Sequence, residues 1–103
     1  MQTEYLREFV ILAKYMNFNT TASILNMTQP TLSRHIMQLE QELGVTLFKR
    51  DTQSVSLTDE GNVCLEEFKR ILEHIDRSIE RIHSYKEGVT GNLTIAYKDI
   101  YGS

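Results

Sequence analysis

The chain has one cysteine, one proline, five glycines and no tryptophan. A single thiol, Cys64, leaves no intrachain disulfide to form, which fits a reducing compartment and an expected cytoplasmic location. So little proline and glycine excludes collagen-like and low-complexity chains, and 41% hydrophobic residues exclude intrinsic disorder. Long apolar runs are missing too. The longest, Phe9-Val10-Ile11-Leu12-Ala13, is far too short to span a membrane, so no membrane partner is expected. The start, Met1-Gln2-Thr3-Glu4, has neither the basic segment nor the apolar stretch of a secretory signal. At 103 residues there is room for one small domain.

A surplus of positive charge is also absent, since the net charge is −3. Its distribution is uneven. Up to Leu57 the cations Arg7, Lys14, Arg34, Lys49 and Arg50 balance Glu4, Glu8, Glu40, Glu42 and Asp51. The acid is concentrated beyond Thr58, in Asp59, Glu60, Glu66, Glu67, Glu73, Asp76 and Glu80. A polyanion could therefore meet a local basic surface in the first half while the second half points away, with strongly salt-dependent affinity.

Apolar residues at Leu6, Phe9, Val10 and Ala13 recur at helical spacing and predict a first helix from about Thr3, its N-cap, to Met16. Asn19 is expected to cap a short second helix, Thr20 to Leu25, with Ala22 small at a helix crossing and Phe18 plugging the core from the turn. A third helix follows from Gln29 to about Leu43. Thr28 caps it, Pro30 suits its first turn, Leu32, Ile36, Leu39 and Leu43 form a buried stripe, and Gly44 stops it. Leu47–Arg50 and Ser54–Leu57 read as a hairpin across Asp51-Thr52-Gln53. Thr58 then caps a long helix reaching Lys86 or Glu87 and stopping at Gly88.

That last helix carries a heptad seam, with Leu65, Leu72 and Ile79 at a and Phe68, Ile75 and Ile82 at d. At ~1.5 Å per residue its length is about 43 Å. A three-helix core cannot cover so long a seam, so a second copy of the chain is the expected partner.

No Gly-rich phosphate loop, catalytic triad pattern or paired-carboxylate site is evident, so no catalytic residue and no enzyme activity is expected. His35, His74 and His83 lack metal-ligand spacing with one another or with Cys64 and read as surface histidines, with no metal expected. Two helices joined by a short turn, then a basic hairpin, describe a winged helix-turn-helix. In that arrangement the N-terminal end of the third helix meets base edges and phosphates. The candidate DNA-contacting residues are Thr28, Gln29, Pro30, Thr31, Ser33, Arg34 and Met37 on this helix, with Lys49, Arg50 and Gln53 on the hairpin. Gln29 suits adenine and Arg34 guanine, while Met37 suits a thymine methyl. Arg50 is also a candidate for pairing with a carboxylate within the fold. Double-stranded DNA is the expected partner. The competing class is a helical protein-interaction module that uses the coiled coil and leaves the hairpin idle.

Leu6-x-x-Phe9, Ala22-x-x-Leu25, Thr28-Gln29-Pro30-Thr31-Leu32-Ser33, Ile36-x-x-Leu39-Glu40, Leu43-Gly44-x-x-Leu47-Phe48-x-Arg50 and Val55-x-Leu57-Thr58-x-x-Gly61 stand in one order over about sixty residues. In this stretch the chain resembles the N-terminal DNA-binding domain of bacterial LysR-type transcriptional regulators. The resemblance implies a mainly α fold, three helices plus a two-stranded wing over residues 1–58, followed by a dimerisation linker helix over 59–88. It also implies a dimer or higher assembly joined through Leu65, Phe68, Leu72, Ile75, Ile79 and Ile82, and a palindromic operator. RNA polymerase is a further partner that transcriptional regulation would bring in. Residues 89–103 are expected to be a hinge and the first strand of a missing effector-binding domain, Gly91-Asn92-Leu93-Thr94-Ile95, or else a disordered tail, which makes the chain an expected excised fragment or truncated product, with a fragment favoured because a lone strand leaves its backbone unpaired. No cofactor is expected in this chain, and a small-molecule effector only in the absent domain. Thr21 stands where the family often has alanine, and Gln53 and Ser54 where its wing tip is often basic.

Overall fold

The computed structural model describes residues 1–51 and 54–87, apart from the side chain of Glu87. The element order is α1 (Thr3–Tyr15), α2 (Phe18–Ile24), α3 (Gln29–Leu43), β1 (Phe48–Arg50), β2 (Val55–Leu57) and α4 (Asp59–Glu87). Two compact units divide the chain at Arg70/Ile71, inside α4. Of the second unit, the described part is the α4 segment from Ile71 onward.

In the first unit, Phe9, Leu12, Leu32, Ile36, Leu39 and Leu47 are fully buried. Each such side chain contributes about 1.5–3 kcal/mol by leaving water. Phe9 sits among rings, 5.4 Å from Phe48 and 5.5 Å from Phe68 between centroids. The Phe68 contact is nearly perpendicular, an arrangement that the ring quadrupoles favour.

The helix ends differ in two places from what spacing suggests. The N-cap of α1 is Gln2, which makes no side-chain cap bond, and Thr3 is the first helical residue. Met16, at φ 53°, ends α1 by entering the left-handed region, and its N–H returns to Leu12 O. The cap of α2 is Asn17 rather than Asn19, and its side chain accepts from Thr20 N at 2.8 Å. The earlier start brings Phe18 into the first turn, edge-on to Phe48 at 6.1 Å. The third helix meets expectation at both ends: Thr28 Oγ1 accepts from Thr31 N, and Gly44, at φ 73°, closes it. Between α2 and α3 the chain reverses through Asn26, at φ 58°, with Met27 N donating to Ala22 O.

The strands are antiparallel, with Phe48 opposite Leu57, Lys49 opposite Ser56 and Arg50 opposite Val55. They are shorter than the hairpin reading, which included Leu47 and Ser54. Leu47 N instead donates to the carboxylate of Glu40 on α3 at 2.8 Å, and Phe48 N does so at 3.3 Å. The Leu47 carbonyl accepts from Thr58 N. Buried Thr58 ties the wing to α4: its hydroxyl donates to Thr46 O and accepts from Gly61 N.

One residue departs from its sequence reading within this core. His35 is a part-buried bridge, not a plain surface histidine. Its Nδ1 lies 2.8 Å from Oε1 of the buried Glu8, and its ring stacks on Tyr5 at 4.3 Å, which joins α3 to α1. Thr21 is fully buried, and its hydroxyl has no hydrogen-bond partner among the described residues. A buried unmet hydroxyl costs about 1–3 kcal/mol, so the isosteric Thr21→Val is expected to raise stability by about 1 kcal/mol. An unchanged or lower urea midpoint would show that the hydroxyl finds a partner in solution.

Candidate nucleic-acid interface

The proposed reading helix, α3, buries Leu32, Ile36 and Leu39 and turns its other side outward. Thr28, Pro30, Arg34 and Met37 are exposed, and Gln29, Thr31 and Ser33 are half-buried. The order follows from the helical period: three and four residues on from each core residue the chain returns to the core, so the residues between face away. At its start the hydroxyl of Thr28 donates to that of Thr31 at 2.8 Å, which fixes both side chains.

The wing adds a cation, Arg50, to this face. Lys49 and Arg50 are both exposed on β1. Arg50 reaches α3 directly, its Nη1 donating to Ser33 Oγ at 3.4 Å. Its guanidinium also lies over the Phe18 ring, 4.7 Å from the centroid. The expected internal partner of Arg50 was a carboxylate; the contacts seen are an aromatic face and a hydroxyl. A shallow cleft lined by Asn19, Gln29, Asp51 and Ser54, among others, separates the starts of α2 and α3 from the wing. Gln53 lies outside the described residues, as do the hinge and strand expected over 89–103.

Sequence reasoning missed Phe18 and Glu40 as parts of this surface. Phe18 seats Arg50, and Glu40 holds the start of the wing. No local pattern signals either, because both partners are distant in the sequence.

Along α4, the expected seam is not uniformly free. Phe68 is buried against Phe9 and belongs to the core of its own chain. Leu72 is buried, Leu65, Ile75 and Ile79 are half-buried, and Ile82 is exposed. Burial pushes the Cys64 thiol up, and the Glu60 carboxylate adds to the rise, so little thiolate exists at neutral pH. Among the described residues no three His, Cys, Asp or Glu side chains cluster as a metal site would need, and no helix is long and apolar enough to cross a membrane.

Three helices with a tight reversal before the third, followed by a two-stranded antiparallel wing, define a winged helix-turn-helix. The family described as "Bacterial regulatory helix-turn-helix protein, lysR family" matches residues 3–62. The chain belongs to that family. It is 38% identical over 96 residues to the HTH-type transcriptional regulator CitR of Bacillus subtilis (strain 168), covering 93% of this chain and 33% of CitR. It is 39% identical over 95 residues to BudR of Klebsiella aerogenes, covering 92% of this chain and 66% of BudR. The chain thus spans between a third and two thirds of the length of these relatives. Among solved structures, that of a CbnR_DBD–DNA complex superposes with a TM-score of 0.81 at 34% identity, covering 84% of this chain and 99% of that one. A BenM_DBD bound to catB site 1 DNA gives 0.82 at 32% identity, covering 85% and 95%.

Proposed function

We propose that this chain binds double-stranded DNA sequence-specifically, as the DNA-reading part of a LysR-type transcriptional regulator in the bacterial cytoplasm, and that it is not an enzyme. One observation carries the reading: the N-terminal face of α3 stands open, with Thr28, Pro30 and Arg34 exposed, directly beside Arg50 of the wing, whose strand also exposes Lys49. A helix of this kind enters the major groove while the wing meets the adjoining backbone. The similar CbnR and BenM structures hold DNA, which supports the same use of the fold here. Selection from a random duplex pool at defined salt tests it. Enrichment of one symmetric, interrupted motif is expected, and sequence-independent binding or none would refute it.

The reading includes a homodimer through α4. Ile71, Ile82 and Tyr85 are 42%, 64% and 91% exposed, which leaves an apolar stripe uncovered on one helix face together with half-buried Ile75. Ile75→Asp places a charge in that stripe and is expected to leave a folded monomer, read as a halved mass by light scattering. A dimer that persists would move the interface elsewhere. An effector site and any contact with RNA polymerase belong to the proposal only at the level of the whole regulator.

A further inference from the structure

The two wing cations have different surroundings. The Arg50 guanidinium lies over the Phe18 ring, 4.7 Å from its centroid, and donates to Ser33 Oγ at 3.4 Å. Phe18 in turn rests edge-on against Phe48, and Phe48 against the fully buried Phe9. The guanidinium is therefore seated on a row of rings rooted in the core, although the residue itself is exposed. Arg stacks on an aromatic face through its plane and donates through a rigid fork, and a lysine ammonium has neither property.

We propose that Arg50 is a positioning residue for base recognition: seated on Phe18, it holds the oxygen of Ser33 and so fixes that hydroxyl on the α3 face proposed to enter the major groove. The inference rests on the DNA-binding reading. A serine hydroxyl has one hydrogen and two lone pairs, whereas a guanidinium has hydrogens alone. Once Arg50 occupies one lone pair of Ser33, one hydrogen and one lone pair remain for a base edge. The hydrogen suits guanine O6 and N7, adenine N7 and thymine O4, and the remaining lone pair suits the amino groups of adenine and cytosine. Arg50 thereby fixes the position of a hydroxyl proposed to meet a base edge and contributes to sequence choice without touching a base.

The test uses the full chain, the duplex that it selects from a random pool, and a scrambled duplex, with binding measured across a salt series and a urea midpoint taken for every variant. Cation–π seating at an exposed site is worth about twofold to fivefold, so Arg50→Lys is expected to lose that much affinity for the selected duplex. Its affinity for the scrambled duplex and its salt slope are expected to stay at the parental values, because the charge is kept. Ser33→Ala and Phe18→Leu should each reproduce the loss, and combining either with Arg50→Lys should add nothing. Lys49→Ala serves as the contrast, with a salt slope lowered by about 0.9 for each phosphate that Lys49 neutralises. Parental affinity in Arg50→Lys, losses that multiply in the double variants, or losses that follow the urea midpoints would overturn the proposal. A parent chain that selects no duplex would instead overturn the DNA-binding reading beneath it.

Discussion

Gly61→Ala is expected to destabilise the fold by about 3 kcal/mol, near the upper end of what overpacking costs. Helix propensity alone points the other way, because alanine is better than glycine inside a helix by about 1 kcal/mol. The geometry decides the sign. A Cβ on Gly61 would stand 2.2 Å from the carbonyl oxygen of Leu47 and 3.0 Å from Cδ2 of Leu57. The leucine side chain can turn away, but the carbonyl is backbone, and it is engaged by Thr58 N at 3.0 Å. Relief requires the start of α4 to withdraw from the wing, which pulls Gly61 N from Thr58 Oγ1 and the hydroxyl of Thr58 from Thr46 O. The wing, the cap and the helix start therefore fail together. Urea denaturation measures the effect, and a loss below about 1 kcal/mol would mean that the wing yields easily to the added methyl group.

Arg34→Ala is expected to produce the largest functional loss. Arg34 is exposed on the outward side of α3, adjacent to the Ser33 that Arg50 holds. A bidentate arginine–guanine contact is worth about 1–3 kcal/mol of discrimination. A dimer uses the residue twice, so affinity for the selected duplex should fall at least about thirtyfold. Base preference should relax at one position in each half-site, with the urea midpoint unchanged. Equal weakening on selected and scrambled duplexes would assign Arg34 to a phosphate instead.

The third helix was legible because its signals are local and mutually consistent. Thr28, Pro30, the stripe through Leu32, Ile36 and Leu39, and Gly44 all mark the same segment, and the structure follows them at both ends. The α2 boundary was not legible, because Asn17 and Asn19 are equal candidates by chemistry. What separates them is the reach of Phe18 to Phe48, far along the chain. The same limit hid the Glu8–His35 bridge, whose members are 27 positions apart, and the seat of Arg50 on Phe18. In the long helix the heptad period was visible, but period alone does not say which apolar residue serves the chain's own core. Phe68 does so because its ring is needed against Phe9.

Glu40 lies on the helix proposed to read the bases, and its carboxylate grips the first two amides of the wing through Leu47 N and Phe48 N. The two parts that would touch DNA are therefore locked in step, like jaws cast in one piece. Such a reader is expected to keep its spacing on operators of different groove width. The duplex is then expected to deform to fit it, and sequences that bend easily near the wing should outcompete stiff ones even where no side chain touches a base.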